Sequence, residues 1–530
     1  MNVVNPILPG FHPDPSICRV GRTFYVATST FEWFPGVEIN ASEDLANWRL
    51  VSRPLNRASQ LDMRGNPDSC GVWAPSLSFA DGLFWLIYTD VKRYDGSYKD
   101  THNYLVTAPN IEGPWSDPIY LNSSGFDPSL FHDDDGRKWH VNMDWDYRGK
   151  ANGRIGGHFG GILLQEYDPA SKKLVGPISR IFEGTERGCT EAPHLFKRNG
   201  WYYLITAEGG TAYHHAVTHA RSRSIGGPYD LHPDIHPIAS PEDKEALLQK
   251  LGHGQFVEAE NGEVWHTFLC GRPLPGTRRC TLGRETGITK CSWGEDGWLY
   301  AVDPMPTAAR DGFFEDREHA TFENGLPGSL QWLRTPQPER LLSTLMRTGW
   351  LRLYGRESVG SWFEQSLVAR RQTGWCYSAE TLLEFDPRDY QSQAGLIAYY
   401  NRFQFHYLFV SRDDEGVRRL AIQSCAGDWP GGQVEMPVDA GIRVPDGPLR
   451  LGVDVDEAEL RFRWATPDGA WSAIGPVLDA SVLSDEGGRG AHANFTGAFV
   501  GMAAQDVSGQ ALHADFAYFD YVNRRKDDHG

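Results

Sequence analysis

The chain has 530 residues, a formal net charge of −18, 12% aromatic residues and 57 glycines. That length exceeds what one ordinary hydrophobic core supports, so two domains are expected. The acidic balance argues against nucleic acid or an anionic membrane as partner, since both need basic surface, and no apolar run is long enough to span a bilayer. A composition rich in aromatics and glycine, with few helical periodicities, points to an all-β protein with a neutral substrate. The best helical stretch is residues 241–251, a short surface excursion. The opening Met1-Asn2-Val3-Val4-Asn5-Pro6 has no basic region followed by an apolar core, and the eight cysteines are scattered with no Cys-x-x-Cys pair. Reduced core thiols and a cytoplasmic location are expected.

Asn5-Pro6-Ile7-Leu8-Pro9-Gly10-Phe11-His12 is extended and turn-rich, suited to completing a last blade and closing a ring. Asp14-Pro15-Ser16-Ile17 follows, and it recurs. Asp127-Pro128-Ser129-Leu130 repeats it closely, Ala74-Pro75-Ser76-Leu77 and Ala192-Pro193-His194-Leu195 are variants, and Gly254-Gln255-Phe256-Val257 is a weaker fifth copy. Each is followed by a Gly-containing turn and an aromatic run, as in Asp81-Gly82-Leu83-Phe84-Trp85 and Asn199-Gly200-Trp201-Tyr202-Tyr203. Measured at Pro15, Pro75, Pro128, Pro193 and Gly254, the steps are 60, 53, 65 and 61 residues. Each unit reads as strand, hairpin turn and strand, at a spacing that suits a four-stranded propeller blade. Five copies predict a five-bladed β-propeller over residues 1–305. Residues 306–318 read as a linker. From 319 to 530 the repeat head is absent. Short runs such as Leu351-Arg352-Leu353-Tyr354, Gly395-Leu396-Ile397-Ala398-Tyr399-Tyr400 and Tyr407-Leu408-Phe409-Val410 predict a β-sandwich there.

Blades set around an axis bring equivalent positions together, so the residue heading each copy faces one shared opening. Asp14 and Asp127 precede their prolines directly; Glu191 lies two before Pro193, and Trp73 holds that place in its own copy. Two carboxyls facing each other across a sugar can cleave a glycosidic bond, one protonating the leaving oxygen and the other activating water. A third acid nearby keeps the donor protonated by like charge. A lone Asp-Pro is usually a turn in which Asp caps the backbone; recurrence at equivalent places favours the catalytic reading.

Phe31, Trp73 and Trp145 fall on loops at the same end, where aromatic faces suit sugar C–H faces, although most of the eighteen tryptophans must be core. Asp144 and Asp146 are alternative acids that head no repeat. His253 precedes the fifth copy and faces the axis, where it could hold a metal or an ordered water. No further histidine sits at ligand spacing, so a structural histidine is the better reading. Arg284, in a Gly-containing segment, could anchor substrate hydroxyls and favour ionised neighbours, or simply pair with Glu285.

The segments 5–16, Phe126-Asp127-Pro128-Ser129-Leu130, Thr190-Glu191-Ala192-Pro193-His194-Leu195 and Leu282-Gly283-Arg284-Glu285-Thr286 resemble glycoside hydrolase family 43, specifically its β-xylosidases with a C-terminal sandwich. The resemblance covers nearly the whole chain. It implies a five-bladed β-propeller followed by a concanavalin-like β-sandwich, inversion at the anomeric carbon, and release of xylose from the non-reducing end of short β-1,4-xylo-oligosaccharides, with side α-L-arabinofuranosidase activity. Asp14 matches the family's general base, Glu191 its general acid, and Asp127 the acid that orients Glu191. Phe31, Trp73, Trp145, Thr206, His253 and Arg284 match residues lining a one-sugar pocket. The sandwich lends a Phe to the rim; Phe495 is the candidate and Phe499 the alternative. No cofactor is required, with calcium near His253 as an option, and a homo-oligomer, tetramer or dimer, is expected. Two segments depart from the family pattern: 148–161 carries extra Gly and basic residues, and 271–284 is short. An arabinofuranosidase or arabinan-degrading enzyme on the same fold is the first alternative. A non-catalytic sugar-binding propeller is the alternative of another class, but a binder needs no proton donor and water-activating base together.

Overall fold

The structure is a computed structural model, and it describes residues 3–149, 157–303, 308, 313–439, 441–488 and 494–526. Five antiparallel sheets occupy the first part of the chain, the first three meanders in sequence order and the fourth and fifth each with one short strand paired off that path. The first runs Ser16–Val20, Thr23–Thr28, Glu38–Ser42, Arg49–Ser52, and the second Gly71–Ala80, Leu83–Arg93, Asp100–Ala108, Ile119–Asn122. The third runs Ser129–His132, Lys138–Trp145, Phe159–Asp168, Lys173–Phe182. Glu191–Arg198, Trp201–Glu208 and Ala216–Ser222 lead the fourth; Val264–Gly271 and Glu285–Trp293 centre the fifth. The hairpin turns fall where Gly21, Gly82, Gly136, Gly200 and Gly262 take positive φ, as tight turns require. The five expected blades are present.

The serine of the repeat head has a structural task. Ser16 Oγ accepts from Leu77 N at 3.0 Å and donates to Gln255 Oε1 at 2.9 Å, while Ser129 Oγ donates to Pro193 O at 2.6 Å. Each such bond crosses from one blade to a neighbouring one. The ring is closed by the opening segment, as expected. Asn5 exchanges two side-chain hydrogen bonds with the Ile288 backbone, at 2.8 and 2.9 Å, and Ile7 N donates to Thr286 O at 2.8 Å.

Two larger antiparallel sheets, eight-stranded among the described residues, form the sandwich. Its core is continuous apolar packing that includes Leu351, Leu353, Leu396, Leu408, Leu451, Val500 and Phe516. Much of the expected linker lies outside the described residues. The strand Arg317–Ala320 begins inside that range and pairs with His513–Asn523, because Glu318 is held by Arg370 at 2.7 Å and Ala320 drops into the core. Residues 241–251 are not helical. Gln249–Gly252 is a strand against Val264–Gly271, pulled into the β-structure by Lys250, whose buried ammonium pairs with Asp485 and Glu486 of the sandwich.

The two β-units are sewn together. Trp33–Phe34, from the propeller, is a strand of a sandwich sheet, paired with Gln331–Leu333, and Trp33 stacks on Phe499 at 3.8 Å. Buried Asp68 accepts from Arg334 at 2.8 Å and Arg402 at 3.0 Å, both sandwich residues. Glu38 likewise takes His12, Arg53 and Arg371 at 2.8–2.9 Å. Removing one partner of such a cluster leaves charge buried and unpaired. Asp68→Ala is therefore expected to lose about 3–5 kcal/mol of stability, read as a lower urea midpoint in equilibrium unfolding.

Candidate active site

The five repeat heads share one backbone conformation. Asp14, Ala74, Asp127, Ala192 and His253 have φ of 58°, 38°, 53°, 52° and 37°. A non-glycine residue held left-handed costs on the order of 1–3 kcal/mol, and such residues cluster at functional sites. In the second and fourth blades the ladder is also bulged at this point, between Trp73 and Ser76 and between Glu191 and His194, and bulges re-aim side chains. The result is convergence. Asp14, Asp127, Glu191, Phe31, Trp73, Trp145, His253, Arg284 and Phe495 all line one cavity of about 210 Å³.

Asp14 Oδ2 accepts from Ser29 Oγ at 2.6 Å, and Oδ1 from Arg284 Nη1 at 3.1 Å, with His253 Nδ1 at 3.6 Å. Asp127 Oδ2 accepts the backbone N–H of Ala192, the residue after Glu191, at 3.2 Å. Phe495, from the sandwich, closes the wall: its ring lies 5.7 Å from Trp73, 6.5 Å from Phe31 and 5.3 Å from Tyr94. Arg284 Nη2 donates to its carbonyl at 2.8 Å. Phe499 takes no part, being stacked on Trp33 in the core.

The chain matches the family model of glycosyl hydrolases family 43 over residues 3–299 and that of the beta-xylosidase C-terminal concanavalin A-like domain over residues 320–522. It belongs to glycoside hydrolase family 43. Among its relatives, xylosidase/arabinosidase 43B of Humicola insolens is 56% identical over 530 residues, covering 98% of this chain and 97% of its own. The beta-xylosidase of Bacillus subtilis (strain 168) is 45% identical over 549 residues, 99% and 100% of the two chains. The crystal structure of xylan beta-1,4-xylosidase from Bacillus halodurans C-125 superposes with a TM-score of 0.93 at 49% identity, covering 98% of this chain and 100% of that one.

In this family 43 chain the three carboxyls have opposed protonation preferences. Burial alone would push Asp14 up, but Arg284, His253 and the Ser29 hydroxyl together hold it below its ordinary value. Glu191 is pushed up to about 8 by burial and then by the charge of Asp14, with Arg284 and Lys99 opposing. Asp127 is raised well above its ordinary value by burial, then by Glu191 and Asp14. At neutral pH, Asp14 is ionised and the Glu191–Asp127 pair keeps at least one proton. Burial lowers His253 to about 4, so its imidazole is neutral there.

Thr206 is the expected pocket residue that the structure does not bring to the wall. It is buried on Trp201–Glu208, opposite Thr218, and its Oγ1 has no protein partner. Asp144 is tied to Arg180 at 2.7 Å and Asp146 to Arg148 at 2.8 Å, and neither lines the cavity. Lys99, Phe126, Phe159, Gly210 and Thr211 do line it and were not anticipated. Phe126 carried a signal: it stands two residues before Pro128, the place of Trp73 and Glu191 in their copies. Lys99 carried none. It reaches in from a loop, its ammonium 4.4 Å from the Trp145 ring centre and bonded to Tyr94 O at 2.6 Å. Of the departing segments, 150–156 lie outside the described residues, while 271–284 docks on the sandwich through Arg279 and Ser481 at 2.8 Å.

Among the described residues no group of three or more His, Cys, Asp or Glu side chains is arranged to hold a metal ion. The Asp14–His253 pair does not suit calcium, because the Arg284 guanidinium already occupies the shared Oδ1 side at 3.1 Å. The option of calcium near His253 has no ligand set in the described structure.

Glu191 makes stability pH-dependent. Its ordinary value is 4.5 and its folded value about 8. Between these the unfolded chain releases a proton that the folded chain retains, so stability is greatest below the lower value and falls as pH rises towards the upper one. Glu191→Gln lacks this loss. Its stability relative to wild type is expected to grow from pH 5 to 8, by at most about 1.4 kcal/mol per pH unit, as read by urea unfolding at both ends.

Proposed function

We propose that this protein is an exo-acting β-xylosidase. It removes single xylose units from the non-reducing end of β-1,4-xylo-oligosaccharides with inversion, and has side α-L-arabinofuranosidase activity. The observation that carries this reading is the trio of buried carboxyls with opposed protonation in a cavity of about 210 Å³. That volume is below the roughly 300–1,000 Å³ of pockets for drug-sized ligands, and it suits one sugar ring. A cavity for one ring supports exo action.

Asp14, ionised and fixed by Ser29 and Arg284, accepts a proton from a water as that water's oxygen bonds to the anomeric carbon. Glu191, protonated, gives its proton to the glycosidic oxygen as the bond from the anomeric carbon breaks. Asp127 accepts the N–H beside Glu191 and orients it, and the Asp14 charge helps keep the donor protonated. Protons then return through solvent. Phe31, Trp73 and Phe495 offer apolar faces to the ring's C–H faces. The relatives named xylosidase/arabinosidase and beta-xylosidase support the substrate class. An arabinofuranosidase proper on the same fold is the second reading, favoured by the first of those names. The reading includes a homo-oligomeric, cytoplasmic enzyme without a required cofactor; scattered cysteines with no Cys-x-x-Cys pair support a reducing compartment.

Xylobiose hydrolysis followed by proton NMR is expected to release α-xylose before mutarotation. Activity should hold through neutral pH and fall above about pH 8 as Glu191 loses its proton. Glu191→Gln is expected to slow xylobiose cleavage by about 10²–10⁴ and to be far milder on 2,4-dinitrophenyl β-xyloside, whose leaving group needs no proton. Asp14→Asn should lose both. β-Xylose appearing first would sink the assignment of Asp14 as base.

A further inference from the structure

Three aromatic walls of the cavity depend on a residue that does not line it. Ser69 is fully buried at the propeller–sandwich boundary. Its backbone N–H donates to Glu32 Oε2 at 3.1 Å, its carbonyl accepts the Trp73 indole N–H at 2.9 Å, and its hydroxyl oxygen accepts the Phe495 N–H at 3.1 Å. Glu32 follows Phe31 directly, and its own carbonyl accepts from Arg334 N at 2.9 Å. The walls from blade one, blade two and the sandwich therefore meet at one serine. Phe495 is gripped from two sides of the cavity mouth: its N–H by Ser69, its carbonyl by Arg284, which in turn holds Asp14.

Ser69 also carries a backbone cost. Its φ is 61°, in the left-handed region where glycine is at ease and serine is not. Glycine would relieve this cost, yet serine stands here, and only serine of the two supplies the hydroxyl. We infer that Ser69 is a positioning residue: its hydroxyl sets Phe495 against Trp73, and so sets how tightly one sugar ring is held. The inference rests on the reading of this cavity as a one-ring site.

The backbone and hydroxyl contributions separate experimentally. Ser69→Gly removes the hydroxyl but also relieves the left-handed strain, which offsets part of the lost hydrogen bond, so the folded protein is expected to unfold at a higher temperature than Ser69→Ala. Its KM for xylobiose and its inhibition constant for free xylose should rise together, by about three- to tenfold for one lost hydrogen bond, with kcat nearly unchanged. Ser69→Ala should show the same KM rise with lower stability. In a Phe495→Ala background, Ser69→Gly should have no further effect on either constant, because its action passes through Phe495. Unchanged KM and xylose inhibition in Ser69→Gly overturn the inference, as do effects of the two substitutions that simply multiply. If wild type neither cleaves xylobiose nor is inhibited by xylose, the functional reading falls and this one with it. If wild type does both and Ser69→Gly matches it, this inference alone falls.

Discussion

Three carboxyl groups stand in one buried cavity, and the rest of the site answers to that fact. Full ionisation of all three is not sustainable away from water, because desolvation and mutual repulsion both oppose it. Among the described residues two cations line the cavity, and of these Arg284 bonds to Asp14 while Lys99 is held by the Tyr94 carbonyl. The remaining two acids keep proton between them instead. A division into one ionised and one protonated acid is what hydrolysis of a glycosidic bond requires. It arises here because Arg284, His253 and Ser29 are gathered on Asp14, while burial and the Asp14 charge act on Glu191.

Arg284 also joins the two β-units, since its other amino group holds the Phe495 carbonyl. The sandwich is thus part of the cavity and not an appendage. The same boundary carries buried Asp68 with Arg334 and Arg402, and Glu38 with Arg371. Isolated, each cluster would be an expensive way to gain stability. Placed between two sheets, they fix a register that apolar packing alone would leave free to slide. The exchange of Trp33–Phe34 into a sandwich sheet and the Trp33–Phe499 stack add the apolar part of the same joint.

The repeat heads explain how the propeller aims its acids. A left-handed residue at each head turns the chain sharply at the inner strand, and in the first and third blades the serine two residues on bonds to a neighbouring blade. The side chain at or just before the turn is thrown toward the axis. Aspartate tolerates this conformation better than most residues, which accounts for Asp14 and Asp127 occupying the turn itself. Glu191 and Trp73 sit one place earlier, at the bulges.

Repetition is what made the fold legible without coordinates. Five spaced copies dictate five blades, and equivalent places in a ring must face one axis, so Asp14, Asp127 and Glu191 could be named together. Phe126 was equally legible by the same rule. Lys99 was not, because a loop tip has no periodicity and its entry is set by the ring faces around it. Thr206 does not line the cavity, whereas Gly210 and Thr211 reach it from the loop after the strand Trp201–Glu208, and where a loop turns in is not written in the strand pattern. The reading of 241–251 as helix failed because Lys250 answers to Asp485 and Glu486, more than 230 residues away. By itself the sequence determined the architecture, the identity of the three acids and the aromatic character of the pocket, since these follow from local pattern and symmetry. Only the tertiary structure decided which acid is ionised and which protonated, and which Phe closes the wall, because those depend on distances between side chains that the chain order does not contain.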